Sequence, residues 1–318
     1  MPLDPYLAAR VHLLEDVTDP LDPEQAARLA EFAVDPAPWT LSEGVSVSDA
    51  TIEGPHGPVP LRTYEPAEPS GRALLWVHGG GFAAGDLDMP ESHVVSAELA
   101  GRSGARVVSV GYRLASASIR YPVPLDDVHA AWRHVRAETP REHPVAIGGA
   151  SAGAALALAT ALRERDAGAP GPEHVLLAYP FAHFPNPTVD DDVVRELLTL
   201  PAAMRFPASS IEAMVQNYVG RLSALPSDAL PGAAPLAGLP PISVLVSEFD
   251  ELRGSAELLL RQLAEAGVAA TGYLAAGMPH GHLNRTPSLP EVDRSLAFFA
   301  AQLRALGGAP AGLLRALG

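Results

Sequence analysis

Short apolar runs alternate with longer stretches of helical periodicity through most of the chain. The nearly continuous apolar runs predict strands at 73–77, 106–111, 145–148, 174–179, 242–247 and 268–274. Apolar residues at helical spacing predict helices between them, at about 90–101, 125–137, 152–166, 254–266 and 289–305. Apolar strands that alternate with helices are typical of a parallel sheet covered on both faces. The pattern therefore predicts an α/β fold with a mostly parallel central sheet.

The N-terminal part of the chain carries different patterns. Apolar side chains at helical spacing in residues 3–14 predict one helix, and the residues from Asp22 onward are typical of the start of a second helix. From Val45 the apolar positions alternate, and a turn rich in glycine and proline at 54–58 divides this segment. These features predict two helices followed by a β-hairpin.

The interval between Tyr179 and Pro241 has no strand pattern. It contains proline-rich turns and two helical stretches, near 190–200 and 208–222. Because a structureless loop of that length is rare in a compact domain, we interpret it as a helical insertion that forms a cap together with the N-terminal helices. The predicted division is N-terminal cap helices at 1–44, a first core part at 45–180, a helical cap insertion at 181–240 and a second core part at 241–318.

Two missing residue types narrow the chemistry. The 318-residue chain has 22 basic side chains, all of them arginine, and it has no cysteine. Without a lysine amine, Schiff-base chemistry, a Walker-type phosphate loop and a Ser-Lys dyad are excluded. Without cysteine, thiol nucleophiles, disulfides, thiolate zinc sites and iron–sulfur clusters are excluded. We expect no cofactor.

The charge balance is strongly negative, since 37 acidic against 22 basic residues give a net charge of −15. Such a charge repels phosphate backbones and anionic lipid surfaces, so we expect neither nucleic acid nor stable membrane association. Residues 1–10 lack a basic segment followed by an apolar run, and we expect a cytoplasmic protein. The uncharged stretch 145–162 is mostly alanine and glycine, and we interpret it as a strand, a turn and a helix start rather than a membrane span.

Residues 149–153 read Gly-Ala-Ser-Ala-Gly and lie between a predicted strand and a predicted helix. A serine in a sharp strand-to-helix turn has strained backbone angles, and small neighbours are required on both sides of it. The helix N-terminus then points at Ser151, so that the N–H of Ala152 can stabilise an oxyanion. The pattern favours Ser151 as a nucleophile, and the alternative is a buried turn with a capping serine.

A run of glycines follows the first apolar strand, where residues 78–82 read His-Gly-Gly-Gly-Phe. Consecutive glycines let the backbone approach a ligand and direct N–H groups at it. Gly80 and Gly81 are therefore the predicted oxyanion donors. A phosphate-binding loop is the alternative, and the lack of lysine argues against it.

A serine nucleophile needs an acid and a base, which follow it along the chain in hydrolases with this kind of turn. Four histidines lie downstream of Ser151. His174 and His183 begin a strand and the insertion, respectively. His280 and His282 lie in a loop after the last strand, where a general base is expected, and both are candidates. An HxH metal pair would need an acidic partner segment, which is not evident, so no metal site is predicted.

The acid is expected after the preceding strand, where residues 247–251 read Ser-Glu-Phe-Asp-Glu. Asp250 is the preferred candidate, and its role would be to hold the imidazole tautomer and to stabilise the imidazolium. Glu248 and Glu251 remain alternatives, because one sequence does not show which carboxylate faces the base. The three carboxylates could also belong to a solvated loop.

Together these motifs resemble one family. The glycine run is followed by Gly-Asp-Leu at 85–87, Gly-Tyr-Arg-Leu-Ala at 111–115, the serine turn, Phe-Asp-Glu-Leu-Arg at 249–253 and Gly-Met-Pro-His-Gly at 277–281. Over about residues 73–305 the chain resembles the bacterial carboxylesterases of the hormone-sensitive-lipase-like branch of the α/β hydrolases. The resemblance implies an α/β-hydrolase fold with a helical cap, and substrates with short or medium acyl chains. It also implies the triad Ser151, Asp250 and His280 and an oxyanion hole formed by Gly80, Gly81 and Ala152.

The sequence departs from the family pattern at three positions. Ala150 and Ala154 replace an acidic residue and a glycine in the serine turn, and His282 replaces the usual phenylalanine. We expect His282 to lie near the base and to tune the polarity of the acyl pocket or the pH profile. Phe82 and Leu87, close to the glycine run, are the other predicted substrate-binding residues.

The sequence thus predicts a serine carboxylesterase that cleaves a small-molecule ester through an acyl-enzyme. The alternatives are an amidase or lactone hydrolase with the same triad and, from another class, a ligand-binding pseudo-hydrolase without turnover. The last strand, at 268–274, would allow a homodimer if it is an exposed sheet edge. Six apolar residues of the cap could line a pocket or form the cap's own core: Phe181, Phe184, Met204, Phe206, Met214 and Tyr218.

Overall fold

The structure, a computed structural model, describes residues 2–19 and 21–307, so residues 1, 20 and 308–318 of the predicted segments 1–44 and 241–318 lie outside the described residues. The strands are β1 Val45–Gly54, β2 Gly57–Pro66, β3 Ala73–Val77, β4 Arg106–Val110, β5 Val145–Ala150, β6 His174–Ala178, β7 Ile242–Phe249 and β8 Ala270–Pro279. The helices are α1 Pro5–Ala8, α2 Pro23–Phe32, α3 Pro90–Ser103, α4 Val123–Glu138, α5 Ala152–Asp166, α6 Asp191–Leu197, α7 Ala208–Val219, α8 Arg253–Glu265 and α9 Pro290–Ala305. Short 3-10 helices span Val11–Leu14, Ala202–Met204, Leu222–Ala224, Pro231–Ala233 and His282–Asn284.

All eight of these strands form one sheet in the order β1-β2-β4-β3-β5-β6-β7-β8. The hairpin of β1 and β2 is antiparallel and joins β4 antiparallel, whereas the pairs from β4 through β3 to β8 are parallel. The predicted α/β fold with a mostly parallel sheet is confirmed. Strand β8 forms one edge of the sheet, and the homodimer stays a prediction.

Helices cover both faces of the sheet because the central strands are apolar on both sides. Alternate side chains of a strand point to opposite faces, so that Leu75 lies in one buried cluster and Leu74 in the other. The first cluster also contains Leu158 of α5, together with residues of α4 and α8. The second contains Phe299 of α9 and residues of α3. Strands β3 and β5, which precede the glycine run and Ser151, are therefore buried along their whole length.

The parallel strands bring the candidate residues to one edge of the sheet. The glycine run follows β3, Ser151 follows β5, Asp250 follows β7 and His280 follows β8. Carboxyl ends of parallel strands share one side of an open sheet, where α/β proteins bind their ligands. Residues that are far apart in sequence therefore meet at this edge.

The segment predicted as a cap is helical in the structure. Between β6 and β7 the chain forms α6 and α7 with three 3-10 helices, and it has no strand between residues 179 and 241, all of which the structure describes. Pro201 caps the N-terminus of the 3-10 helix that follows α6, and this helix contains the buried Met204. The division into cap and core segments stays a prediction.

The first helix differs from the prediction. Residues 3–14 form the short α1 and a 3-10 helix rather than one helix, with Arg10 between them at φ −113°. Asp4 fixes the start of α1, because its side chain accepts the N–H groups of Tyr6 and Leu7. The break turns both Leu7 and Leu14 into the protein interior. Local periodicity showed the apolar positions but not this break.

None of the helices within residues 2–19 and 21–307 is long and apolar enough to cross a membrane.

Candidate active site

Ser151 occupies a strained turn between β5 and α5. Its φ of 53° and ψ of −116° lie outside the regions that side chains ordinarily prefer. The small neighbours are required by the close approach of the chain, since a Cβ at Gly149 would lie 2.5 Å from the carbonyl oxygen of Gly153. The turn holds the hydroxyl of Ser151 at the start of α5, where strain of this kind is typical of functional sites.

The structure brings three of the predicted residues together. The hydroxyl of Ser151 donates to Nε2 of His280 over 2.9 Å. The Nδ1–H of His280 donates to Oδ2 of Asp250 over 2.7 Å. The other carboxylate oxygen of Asp250 accepts the N–H of Leu252 at 2.8 Å, which fixes its orientation. The result is a continuous chain of hydrogen bonds from a carboxylate through an imidazole to a hydroxyl.

The electrostatics of His280 suit a base. Its burial alone would lower the pKa of the imidazole, but the Asp250 carboxylate, followed by smaller contributions from Glu91 and Glu251, holds the pKa above its ordinary value of 6.5. The ring is also packed by aromatic neighbours, with the centroids of Tyr179 and Phe206 at 4.9 and 4.8 Å. These contacts fix the imidazole in the orientation that faces Ser151.

The other two carboxylates of the loop have different partners. Glu248 accepts the N–H of Gly277 at 2.6 Å. Glu251 pairs with the guanidinium of Arg205 at 3.0 Å. Asp250 is thus the carboxylate that faces His280.

The remaining downstream histidines also have other partners. His174 lies 2.9 Å from Oγ of Ser243, and His183 contacts Ser255 and Gln262 at 2.9 and 2.8 Å. Neither ring takes part in the hydrogen-bond chain around Ser151.

The glycine run lies beside Ser151 in a backbone conformation that only glycine adopts readily. Gly80 and Gly81 have φ angles of 102° and 61°. The carbonyl of Gly79 accepts the hydroxyl of Tyr112 at 3.1 Å and the Nδ1–H of His78 at 2.8 Å. Because a peptide is planar, fixing this carbonyl also fixes the direction of the Gly80 N–H.

A cavity of about 520 Å³ contains the hydroxyl of Ser151 and the glycine run. Its apolar wall is formed by Met89, Phe206, Met214 and Leu252. Its polar wall contains His280, Glu91 and Asn284. The cavity can accept a small, largely apolar molecule with its reactive group next to Ser151.

Phe206 lines this cavity and two others. One of them, of about 500 Å³, is also lined by Phe184, Ile211 and Leu222 among other residues. A smaller cavity of about 210 Å³ is lined by Met204 and residues of the N-terminal segment. Phe206 contributes to the walls of all three.

The predicted substrate-binding residues lie elsewhere. Phe82 is fully buried and stacks on Tyr218, with ring centroids 3.9 Å apart. Leu87 packs toward Gly111, and its carbonyl accepts a guanidinium N–H of Arg62 at 3.2 Å. Neither belongs to the described residues that line the cavity around Ser151. Both positions follow the glycine run closely in sequence, but the chain turns them into the core or toward the hairpin.

His282 is also not part of the wall around Ser151. Its Nδ1 lies 3.0 Å from Oγ of Ser247 and its Nε2 lies 3.0 Å from Oγ of Ser295. The ring is buried, and this burial, together with the nearby His280, lowers its pKa to about 3. His282 also lines the neighbouring cavity of about 210 Å³ together with His280, and its predicted effect on the acyl pocket stays a prediction.

The six apolar cap residues divide between the two predicted roles. Phe206 and Met214 line the cavity around Ser151, whereas Phe184 and Met204 line the two neighbouring cavities. Phe181 and Tyr218 are fully buried in the core. Sequence reasoning could not make this division, because it depends on the tertiary packing of the segment.

Sequence reasoning missed Glu91, the second residue of α3. Its carboxyl group is buried, and it accepts the N–H of Gly79 at 2.7 Å and the hydroxyl of Tyr179. Burial raises its pKa, although these hydrogen bonds oppose the shift. The only signal in the sequence was a Pro-Glu start of a helix soon after the glycine run, which is equally typical of a solvated helix N-terminus.

The fold and the site together have the arrangement found in serine hydrolases with a nucleophile on a strand-to-helix turn. The sequence profile of a family described as having the alpha/beta hydrolase fold matches residues 74–284. Esterase LipI from Mycobacterium tuberculosis (strain ATCC 25618 / H37Rv) is 34% identical over 265 residues, which cover 78% of this chain and 78% of that protein. An ethyl acetate hydrolase from Pseudomonas putida is 28% identical over 330 residues, which cover 96% of this chain and 99% of that protein. A solved esterase of Pyrobaculum calidifontis has a TM-score of 0.77 at 30% identity and covers 97% of this chain and 100% of its own.

The chain therefore belongs to the α/β hydrolase family, and the predicted resemblance to the esterases of that family is confirmed. The predicted enzyme class, a carboxylic ester hydrolase, is the class to which these relatives belong by name.

Proposed function

We propose that this protein is a serine carboxylesterase that hydrolyses esters with short to medium acyl chains through an acyl-enzyme on Ser151. The observation that carries the proposal is the hydrogen-bond chain from Asp250 to His280 to Ser151, at 2.7 and 2.9 Å. It ends at a cavity that also contains the glycine run.

In the first half of the reaction, Oγ of Ser151 attacks the ester carbonyl carbon while its proton passes to Nε2 of His280. The carbonyl oxygen becomes an oxyanion, which the backbone N–H groups of Gly80, Gly81 and Ala152 stabilise. Asp250 stabilises the imidazolium without taking its proton. The carbon–oxygen bond to the alcohol then breaks, and His280 returns the proton to the leaving oxygen.

In the second half, water attacks the acyl-enzyme carbonyl and gives a proton to His280. The same N–H groups hold the second oxyanion, the bond to Oγ breaks, and Ser151 regains its proton from His280. Carboxylic acid and free enzyme are the products. No group outside these residues is required for the proton transfers.

The dimensions of the cavity support a small substrate. Phe206 limits the space of about 520 Å³ around Ser151, and Met214 and Leu252 make the wall apolar. A short acyl chain fits such a wall, whereas a long one would meet the ring of Phe206. The relative that hydrolyses ethyl acetate, by its name, acts on an ester of this size.

The test is a chain-length series of p-nitrophenyl esters from acetate to dodecanoate, with p-nitroacetanilide as the matched amide and a γ-lactone as a cyclic ester. We expect the highest kcat/KM on the short to medium esters and a loss on the order of 10⁶-fold in kcat for Ser151→Ala. Ser243→Ala is the matched control. Ser243 is a buried serine near the start of β7, whereas Asp250 follows the end of that strand, and it bonds to His174. Faster turnover of the anilide or the lactone would assign the same residues to another bond. Ester turnover that survives in Ser151→Ala overturns the proposal.

A further inference from the structure

One buried carboxyl group touches three separate elements around Ser151. Glu91 is only 1% exposed, and its Oε2 accepts the N–H of Gly79 over 2.7 Å. Its Oε1 accepts an Nδ2–H of Asn284 over 3.3 Å and the hydroxyl of Tyr179. A carboxyl group accepts several hydrogen bonds at once, so one side chain joins segments that follow β3, β6 and β8.

Each of these contacts reaches a group that takes part in the proposed reaction. Gly79 begins the run that presents the N–H groups of Gly80 and Gly81, and its own Cβ, if it had one, would lie 2.5 Å from Oε2 of Glu91 and 3.2 Å from Cβ of Ser151. The carboxyl group is therefore packed directly behind the oxyanion donors and the nucleophile.

The other two contacts reach the base. Asn284 also donates to the carbonyl of Gly281 at 3.2 Å, and Gly281 directly follows His280. The ring of Tyr179 stands edge-on to the imidazole of His280, with centroids 4.9 Å apart. Glu91 thus contacts one residue that packs on the imidazole, Tyr179, and one that is hydrogen-bonded to the residue after it, Asn284.

We propose that Glu91 is a positioning residue that holds the oxyanion donors and the His280 loop in one fixed arrangement. The inference rests on the proposed esterase reaction and adds a residue to it. Its physical basis is preorganisation, because donors that are already aimed at the developing oxyanion need no reorganisation in the transition state. A displacement of either loop would weaken the binding of the transition state more than the binding of the ester substrate.

The variant that tests the proposal is Glu91→Gln. The amide has nearly the same volume, but it has one oxygen and one NH₂ group, so at least one of the three donors loses its acceptor and faces another donor. We expect kcat for p-nitrophenyl acetate to fall about 10- to 100-fold while KM changes by less than about threefold. A trifluoromethyl ketone should lose affinity by the same factor as kcat/KM, since Ser151 adds to its carbonyl and the adduct oxygen occupies the oxyanion position.

The chain offers a closely matched control in Glu291. Like Glu91, it is the second residue of a helix that begins with proline, and it is only 4% exposed. It accepts the hydroxyl of Tyr273 at 2.7 Å, near the start of β8 and away from His280. Glu291→Gln therefore repeats the chemical change and its effect on a helix N-terminus without touching the site. We expect it to lower the thermal midpoint and to leave kcat and the ketone affinity within about twofold of wild type.

Three outcomes overturn the inference. They are an unchanged kcat in Glu91→Gln, an equal loss in Glu291→Gln, and a ketone affinity that does not follow kcat/KM. If Glu91→Gln does not fold, Asn284→Ala decides, because it removes one of the three contacts; a several-fold fall in kcat with a parallel loss of ketone affinity supports the inference, and no change in either overturns it. Failure of the esterase proposal is a separate result, since it is recognised by turnover in Ser151→Ala.

Discussion

Nε2 of His280 lies 2.9 Å from Oγ of Ser151, although 129 positions separate the two residues along the chain. The parallel strands place both residues at the same edge of the sheet, since Ser151 follows β5 and His280 follows β8, and β6 and β7 lie between these two strands. Asp250 follows β7, the strand next to β8, and so lies within reach of the same imidazole. The geometry of the site therefore depends on the sheet and also on the contacts that hold the His280 ring in place.

Asp250→Asn should lower kcat for a short ester about 10⁴-fold at neutral pH. The amide cannot stabilise the imidazolium, and it can present its NH₂ group to Nδ1 and so favour the wrong tautomer. Glu248→Gln is the control from the same loop, since Glu248 accepts the N–H of Gly277 rather than a proton of His280. Steady-state kinetics on p-nitrophenyl acetate measure both variants. An equal loss of kcat in Glu248→Gln would contradict the assignment of Asp250 as the acid of the triad.

The kcat/KM of the enzyme should rise with pH and level off only above pH 6.5. His280 must be neutral to accept the proton of Ser151, and Asp250 in particular holds its pKa above the ordinary 6.5 despite the opposing effect of burial. Glu251 also raises this pKa, so Glu251→Gln should move the acid limb to lower pH. Glu257→Gln, an exposed carboxylate on α8 paired with Arg253, is the control and should not move it. If the acid limb of the wild-type kcat/KM profile gives a pKa at or below 6.5, the expected rise in the pKa of His280 is contradicted.

Much of the fold could be predicted because its central strands are buried on both faces. Strand β3 has the predicted bounds, and β5 and β6 differ from them by one or two residues. Such strands are apolar at every position, so the signal does not depend on their neighbours. The N-terminal segment is different, because the break at Arg10 follows from where Leu7 and Leu14 are buried. That choice is made by tertiary packing and is not visible in the periodicity.

The candidate site could be predicted to the extent that it depends on backbone motifs. The turn around Ser151 and the glycine run need particular residue types. Chain order then limits the acid and the base to a few candidates, and the family resemblance favours Asp250 and His280 among them. The pocket wall could not be predicted, since proximity in sequence suggested Phe82 but its ring packs on Tyr218. Glu91 was missed for a related reason, because its burial depends on three contacts from distant segments.

Phe206→Ala should move the preference toward longer acyl chains. Phe206 lines both the cavity of about 520 Å³ around Ser151 and the neighbouring cavity of about 500 Å³. Its removal would join the two spaces, and each additional buried methylene is worth about 0.8 kcal/mol, or about fourfold in kcat/KM. Phe184→Ala is the control, because Phe184 lines the second cavity but not the first. The ratio of kcat/KM for the decanoate and acetate esters measures the effect, and an equal ratio in both variants contradicts it.

His282→Phe should lower the unfolding free energy by an amount that depends on pH. It should leave the chain-length preference unchanged. The imidazole bonds to Ser247 and Ser295 at 3.0 Å each, so phenylalanine leaves two buried hydroxyls without these partners and should cost about 1–3 kcal/mol of unfolding free energy at pH 7.5. Burial, followed by the charge of His280, lowers the folded pKa of His282 to about 3 from its ordinary 6.5. Below pH 6.5 the imidazole of His282 therefore binds a proton in the unfolded wild-type chain but not in the folded one. As the pH falls, the unfolding free energy of wild type decreases by up to about 1.4 kcal/mol per pH unit through this group, and the variant, which lacks the imidazole, does not have this loss.

The difference in unfolding free energy between wild type and His282→Phe should accordingly decrease by about 2 kcal/mol from pH 7.5 to pH 5. Urea unfolding at both pH values measures it, and the ester series measures chain-length preference on the same protein. Ser295→Ala is a useful companion variant, because it removes one hydrogen bond of the imidazole but keeps the titrating ring. A stability difference that stays constant with pH would show that the ring is not held neutral in the fold. A shift in chain-length preference in His282→Phe would contradict the prediction and would show that His282 affects the acyl pocket.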